Sequence, residues 1–226
     1  MVERPATAAF GSALHVSRPV TIPIFPLAGA ILFPRSQLPL HIFEPRYREM
    51  VRDVIDGPAR IGMIQPLRLD DDNRAPLYGI GCLGEIVGVE ELEDGRFNIV
   101  LLGLNRFRLI GEAASEASYR CAEVDIAAFD DSEPRPLAAI QRADVEREAR
   151  RLGDAMGLAV DWEAVARLDD EMLVNAIAQV APFDTGAKQA LLEQPTLAGR
   201  ADLLVQLMQF HRAAIGGGVE IEPTIQ

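Results

Sequence analysis

The feature that most constrains this chain is a change of character near its middle, at Asp130-Asp131-Ser132-Glu133-Pro134-Arg135-Pro136. Before it, short apolar runs are punctuated by glycine and proline. After it, apolar residues recur at helical spacing. A chain of 226 residues divided in this way is an α+β protein, not an alternating α/β one. The expected organisation is a leader over 1–18, a β-domain over 19–131, a helical domain over 132–214 and a flexible tail over 215–226.

Within the first part, Val20–Leu27 is β-rich. Pro23 and Pro26 cannot donate to a ladder, which predicts an edge strand or one bounded by turns. Further strands are predicted at Ile31–Phe33, Gln37–Phe43, Arg60–Gln65, Tyr78–Glu90, Phe97–Leu102, Arg106–Ile110 and Tyr119–Phe129. Asp94-Gly95 marks a two-residue hairpin. Gly79, Gly81, Gly84 and Gly88 are spaced as in a strand with bulges or close backbone approaches, which suits a tightly coiled barrel. One helix interrupts the strands. Pro45 suits its first position, Gly57-Pro58 ends it, and Tyr47, Met50, Val51, Val54 and Ile55 share one face.

In the second part, Leu137–Met156 reads as a charged helix with a solvated face. Asp161 caps a short helix containing Trp162. Glu171–Val180 stops before Pro182, Asp184 or Thr185 caps Ala187–Glu193, and Thr196 opens a last helix bearing Leu197, Ala201, Leu204 and Met208 on one side.

Composition restricts function. The net charge of −12 repels phosphate backbones, so a broad nucleic-acid surface is disfavoured. Two cysteines, Cys82 and Cys121, make no disulfide framework and suit a reducing cytoplasm as buried thiols. There is no secretory signal pattern and no apolar run long enough to span a bilayer. His15, His41 and His211 have no metal-ligand spacing, and Asp70-Asp71-Asp72-Asn73 lacks the EF-hand pattern, so no metal and no cofactor is expected. There is no G-x-x-x-x-G-K-[ST] loop. A Ser-Lys dyad would require Lys188, the sole lysine, which reads as the solvated face of a helix.

Several segments, in order, resemble the N-terminal, substrate-recognition domain of Lon protease in its stand-alone form. They are Ile22-Pro23-Ile24-Phe25-Pro26-Leu27, Phe33-Pro34, Pro39-Leu40-His41-Ile42-Phe43-Glu44 with Arg46-Tyr47, Asp94-Gly95-Arg96-Phe97, and Gly103-Leu104-Asn105-Arg106-Phe107. Lys188-Gln189-Ala190-Leu191-Leu192-Glu193, Leu197, Arg200 and Leu203-Leu204 complete the likeness. The resemblance implies a PUA-like β-barrel or pseudo-barrel with one helix, followed by a helical bundle. Pro26, Leu27, Phe43, Glu44, Arg46, Tyr47, Gly103 and Arg106 carry the structural motif. It also implies a non-catalytic protein-binding module for unfolded or extended polypeptides, an adaptor in protein quality control that works beside a protease or chaperone.

The proline-flanked loop with Ile31, Leu32, Phe33, Pro34 and Leu38 is the expected substrate contact, since any of these left exposed would form an apolar patch. Proline-limited edge strands offer strand addition to an extended peptide. The alternatives are a hydrolase or peptidase with an unrecognised site, and a PUA-like RNA-binding protein. Self-association through the helical part is compatible with the first reading.

Overall fold

In a computed structural model, the described residues are 19–68, 75–131, 133 and 136–216. The leader, the Asp70–Asn73 loop, Ser132, His15 and the tail beyond Gly216 lie outside them. Six strands come first: β1 (Val20–Pro26), β2 (Gln37–Ile42), β3 (Arg60–Ile64), β4 (Ile80–Glu91), β5 (Phe97–Ala113) and β6 (Cys121–Asp125), with helix α1 (Pro45–Ile55) between β2 and β3. Helices α2 (Ala139–Ala155), α3 (Trp162–Ala166), α4 (Asp170–Val180), α5 (Thr185–Glu193) and α6 (Leu197–Gly216) follow.

The strand order is β2-β5-β4-β3-β1-β6, and β6 also pairs with β5. Five strands therefore close on themselves, and β2 stands outside the ring. Closure depends on the length of β5, 17 residues, where two shorter strands were expected. Its first part lies between β2 and β4, and its last part pairs with β6. Register shifts fall at Leu83/Gly84, Ile86/Gly88 and Leu109/Gly111, so glycines stand at all three bulges and bend the strands around the corner.

Closure also decides between the two readings of β1. It is not an edge: Val20–Pro23 pairs with β6, and Ile24–Pro26 pairs in parallel with β3. Each proline loses one bond on one side while the other half of the strand is held elsewhere. The Asp94-Gly95 turn is wider than two residues. Leu92 N–H donates to Arg96 O at 2.8 Å, and Gly95 sits at φ 75°, the left-handed position of a three-residue loop.

Strand alternation makes two apolar layers in the barrel. Ile22, Ile24, Ile64, Leu83, Phe107, Ala122 and Val124 fill the ring. On the opposite face Phe25, Ile61, Met63, Cys82, Phe97, Ile99 and Leu101 pack against Tyr47, Met50, Val51 and Val54 of α1. The helices bury a third cluster around Val145, Leu152, Leu173, Leu191, Leu204 and Met208. α2 is not simply solvated: Val145, Glu148, Ala149, Leu152 and Gly153 are buried, while Arg147 and Asp144 pair outside at 2.6 Å. The capping expectations hold. Asp161 accepts from Glu163 and Ala164 N–H, Asp184 from Ala187 N–H, and Thr196 Oγ1 from Gly199 N–H.

Candidate functional site

The expected substrate loop is largely withdrawn from solvent. Ile31, Leu32, Phe33 and Pro34 are buried, and Leu38 is half-buried. Ile31–Phe33 is no strand; it runs across the joint between sheet and bundle. Leu32 enters the layer under α1, whereas Ile31 and Phe33 enter the helical cluster. Helical side chains hold the backbone. Gln179 Nε2 donates to Ile31 O at 3.1 Å and Asn175 Nδ2 to Pro34 O at 3.2 Å. Apolar side chains of this size gain more from burial than from exposure, about 1.5–3 kcal/mol each, so the segment is spent on holding the two halves together.

Of the structural motif residues, Gly103 and Arg106 stand at this joint, and the others lie around β1 and α1. Gly103 is required by a close approach: a Cβ there would lie 2.0 Å from Phe33 O. Its N–H donates to Ser36 O at 2.9 Å, and its carbonyl accepts from Arg35 N–H at 2.8 Å. Arg106 is buried. Its Nη2 donates to Asp131 Oδ1 at 2.8 Å, and its Nη1 donates to Leu192 O and Gln194 O at 3.0 and 2.6 Å, closing the C-terminal end of α5. Glu44 caps α1 by position and pairs with Arg46 at 2.6 Å, and Arg46 lies over the Tyr47 ring. Tyr47 packs on Phe25; burial raises its hydroxyl pKa. Pro26 ends β1, Leu27 N–H donates to Ile64 O at 3.1 Å, and Phe43 is 60% exposed beside His41.

Sequence reasoning missed Arg35, Glu171, Asn175 and the full reach of Arg200. Arg35, at φ 61°, donates from Nε to Glu171 Oε2 at 2.8 Å and from Nη1 to Asp131 O at 2.5 Å. Arg200 donates to Asn175 Oδ1 at 2.7 Å and stacks on Phe33. Burial, then the neighbouring Arg106, pull its guanidinium down to about 10, still charged at neutral pH. A cleft of about 410 Å³ opens over Arg35, Arg106, Arg108, Asp131, Glu171 and Arg200. Its buried charges already have partners. Lys188 is not solvated: it is half-buried, its amine donates to Gln179 O at 2.9 Å, and burial lowers its pKa. Cys82 is fully buried, which raises its thiol pKa.

Among the described strands, an unpaired edge lies at β2. Gly103 N–H bonding to Ser36 O sets the phase of the ladder, so Leu38, Leu40 and Ile42 bond β5 while Gln37, Pro39 and His41 turn their backbone groups outward. This edge therefore presents three carbonyls and two N–H groups, because Pro39 has none. Beyond the ring, one face of β2-β5-β4 is covered by α1, and the other carries a shallow groove over Pro39, His41, Gly88, Glu90, Asn98 and Val100. Val87 and Val89 nearby are 49% and 46% exposed. A polar ladder crosses the groove. Arg96 Nη1 can only donate, so His41 Nε2 accepts it at 3.2 Å; His41 Nδ1–H then donates to Asn98 Oδ1 at 2.8 Å, and Asn98 Nδ2 to Glu90 Oε2 at 2.9 Å. These contacts fix the outer faces of three strands, and among the described residues no backbone group pairs with the outer edge of β2. Among the described residues, no group of three His, Cys, Asp or Glu could hold a metal ion, and no helix is long and apolar enough to cross a membrane.

Comparison with known proteins agrees with this architecture. Residues 21–209 match the family model for the "ATP-dependent protease La (LON) substrate-binding domain". The chain is 24% identical over 214 residues to a Lon protease of Anaeromyxobacter dehalogenans, covering 92% of this chain and 25% of that protein. It is 28% identical over 224 residues to a Lon protease 2 of Sorangium cellulosum, covering 91% and 26%. It thus spans about a quarter of the length of these relatives. Among solved structures, a Lon N-terminal domain protein from Xanthomonas campestris superposes with a TM-score of 0.62 at 19% identity, over 83% of this chain and 98% of the other. The N-terminal domain of a Mycobacterium avium complex Lon protease gives 0.62 at 19%, over 85% and 100%.

Proposed function

The chain belongs to the family of the ATP-dependent protease La (LON) substrate-binding domain, and from that premise we propose that it is a non-catalytic module that holds extended, unfolded segments of other polypeptides. The observation that carries this reading is the open outer edge of β2. Main-chain groups recognise main chain without regard to sequence, which is what binding of unfolded polypeptide demands. A segment added there would set alternate side chains beside Pro39 and His41, at the near side of the adjoining groove.

We also propose that the β-part and the helical part, divided near residue 131, act as one body in the cytoplasm and pass clients to a protease or chaperone. The peptidase alternative finds no support at Lys188, whose amine is engaged with Gln179. The RNA alternative is opposed by the charge of −12 and by Glu90, Glu91 and Asp94 about the groove.

The test compares binding of one protein in its reduced, carboxymethylated, permanently unfolded form and in its native form. Preference for the unfolded form is expected. In the double variant Gln37→Pro, His41→Pro the outward donors are gone while bonds to β5 remain, and affinity should fall roughly tenfold or more, as for loss of two hydrogen bonds. Equal, negligible binding of both forms, or unaltered affinity in the double variant, would refute the reading.

A further inference from the structure

The helical half contains a pocket that the strand-edge reading does not use. Helices α2, α3, α4 and α6 leave a space of about 200 Å³, and the described residues lining it are all apolar in type. Leu152, Met156, Trp162, Ile177 and Met208 build its walls. Of the residues lining it, Leu158 and Val180 are 53% and 81% exposed and so belong to its mouth.

We propose that this pocket receives one aromatic or branched aliphatic side chain of a bound polypeptide whose flanking residues are basic. Apart from the Trp162 indole N–H the lining side chains carry no hydrogen-bonding group, so a group entering it must itself be largely apolar or lose its hydration uncompensated. The volume suits one such group, and an apolar space of this kind holds no ordered water. The exposed rim argues for a chain and against a small solute. A solute seated inside would leave Leu158 and Val180 in water, whereas the residues flanking an inserted side chain would cover them. Charge sets the flanks. Of the acids between positions 149 and 182, Glu163 pairs with Arg167, Asp170 with Arg142 and Glu171 with Arg35, and Arg150 lies over the Trp162 ring, so the negative field that remains comes from Asp154, Asp161 and Asp169 and from the chain as a whole, of net charge −12. That field attracts basic segments and repels acidic ones. The site is independent of β2: it lies in the other half of the fold and reads a side chain where β2 reads backbone.

Trp162 is the only tryptophan of the chain, so its emission reports on the pocket directly. The full chain is titrated with short Arg/Ser peptides carrying a central Phe, Leu or Ser, and separately with toluene. The Phe and Leu peptides should shift the emission saturably, and the Ser peptide should bind roughly tenfold more weakly, as expected for one buried apolar side chain. Ala176→Phe, which fills the pocket, should abolish the response. Val180→Lys, at an exposed position that does not threaten folding, should weaken it by removing rim and repelling the basic flanks. The Gln37→Pro, His41→Pro variant should keep the response in full, which separates this proposal from the strand-edge reading. Three results would each overturn it: a toluene response with none from any peptide, equal binding of the Phe and Ser peptides, or undiminished binding in Val180→Lys.

Discussion

Arg106 and Asp131, 25 residues apart in sequence, form a buried ion pair in which the Arg106 backbone N–H also donates to Asp131 Oδ2 at 2.8 Å. The remaining guanidinium donors reach Leu192 O and Gln194 O. One arginine thus ties β5, the segment after β6 and the end of α5 together. Removing one member of such a pair leaves an uncompensated charge, which costs roughly 3–5 kcal/mol. Asp131→Ala should therefore lower the free energy of unfolding in urea by about that much, more than Asp94→Ala at the exposed hairpin pair.

The same carboxylate makes stability depend on acid. Burial alone would raise its pKa, but the hydrogen bonds from Arg106 prevail and hold it below the usual carboxylate range. The unfolded chain then binds the proton more readily than the folded one, so stability rises with pH. The contribution is complete above the ordinary aspartate value of about 4 and is lost as pH falls through the lowered one. Urea midpoints measured across the acid range should diverge between the native protein and Asp131→Asn at neutral pH and converge in acid.

Gly103 faces Phe33 O so closely that a methyl group cannot fit. Gly103→Ala must push the loop off the strand and break the bond from Gly103 N–H to Ser36 O. The cost expected from overpacking is about 3 kcal/mol or more. Thermal unfolding should show a lowered midpoint. A midpoint equal to that of the native chain would mean that the joint is looser than the contact between Gly103 and Phe33 requires.

Much of this fold is legible in the sequence because it is local. The α1 face is written at helical spacing, and Asp161, Asp184 and Thr196 stand where caps are needed. What the sequence hid is long-range. Ile31–Phe33 has the composition of a strand, and only its neighbours at Asn175, Gln179 and Arg200, all more than 140 residues away, turn it into a buried joint. The two prolines of β1 suggested an edge because pairing that changes partner midway leaves no local mark. Asp131 read as part of a polar break, although it is the partner of Arg106. The open edge of β2 could be suspected from Pro39, but the outward phase of Gln37 and His41 follows only from the register with β5.

Phe33 tests whether the joint is one unit. It is fully buried, packs among the helical apolar residues and lies under Arg200. Phe33→Ala should cost about 3–5 kcal/mol from lost transfer energy and the cavity left behind. If sheet and bundle unfold together, emission from Trp162 in the bundle and hydrogen exchange of β5 amides should report the same lowered midpoint. Separate midpoints would show that the halves are held only through this segment.

Pro39 tests the open edge from the opposite direction to the proline variants. Its missing N–H lies among the outward groups of β2, where it interrupts the row of donors and discourages pairing with another chain. Pro39→Val leaves the bonds from Leu38 and Leu40 to β5 in place and adds a third outward donor. Stability should change by less than about 1 kcal/mol. Affinity for an unfolded polypeptide should rise, and at high concentration the variant should associate through β2, as read by sedimentation. Unchanged affinity together with a monomeric variant would mean that the edge is not where polypeptide adds.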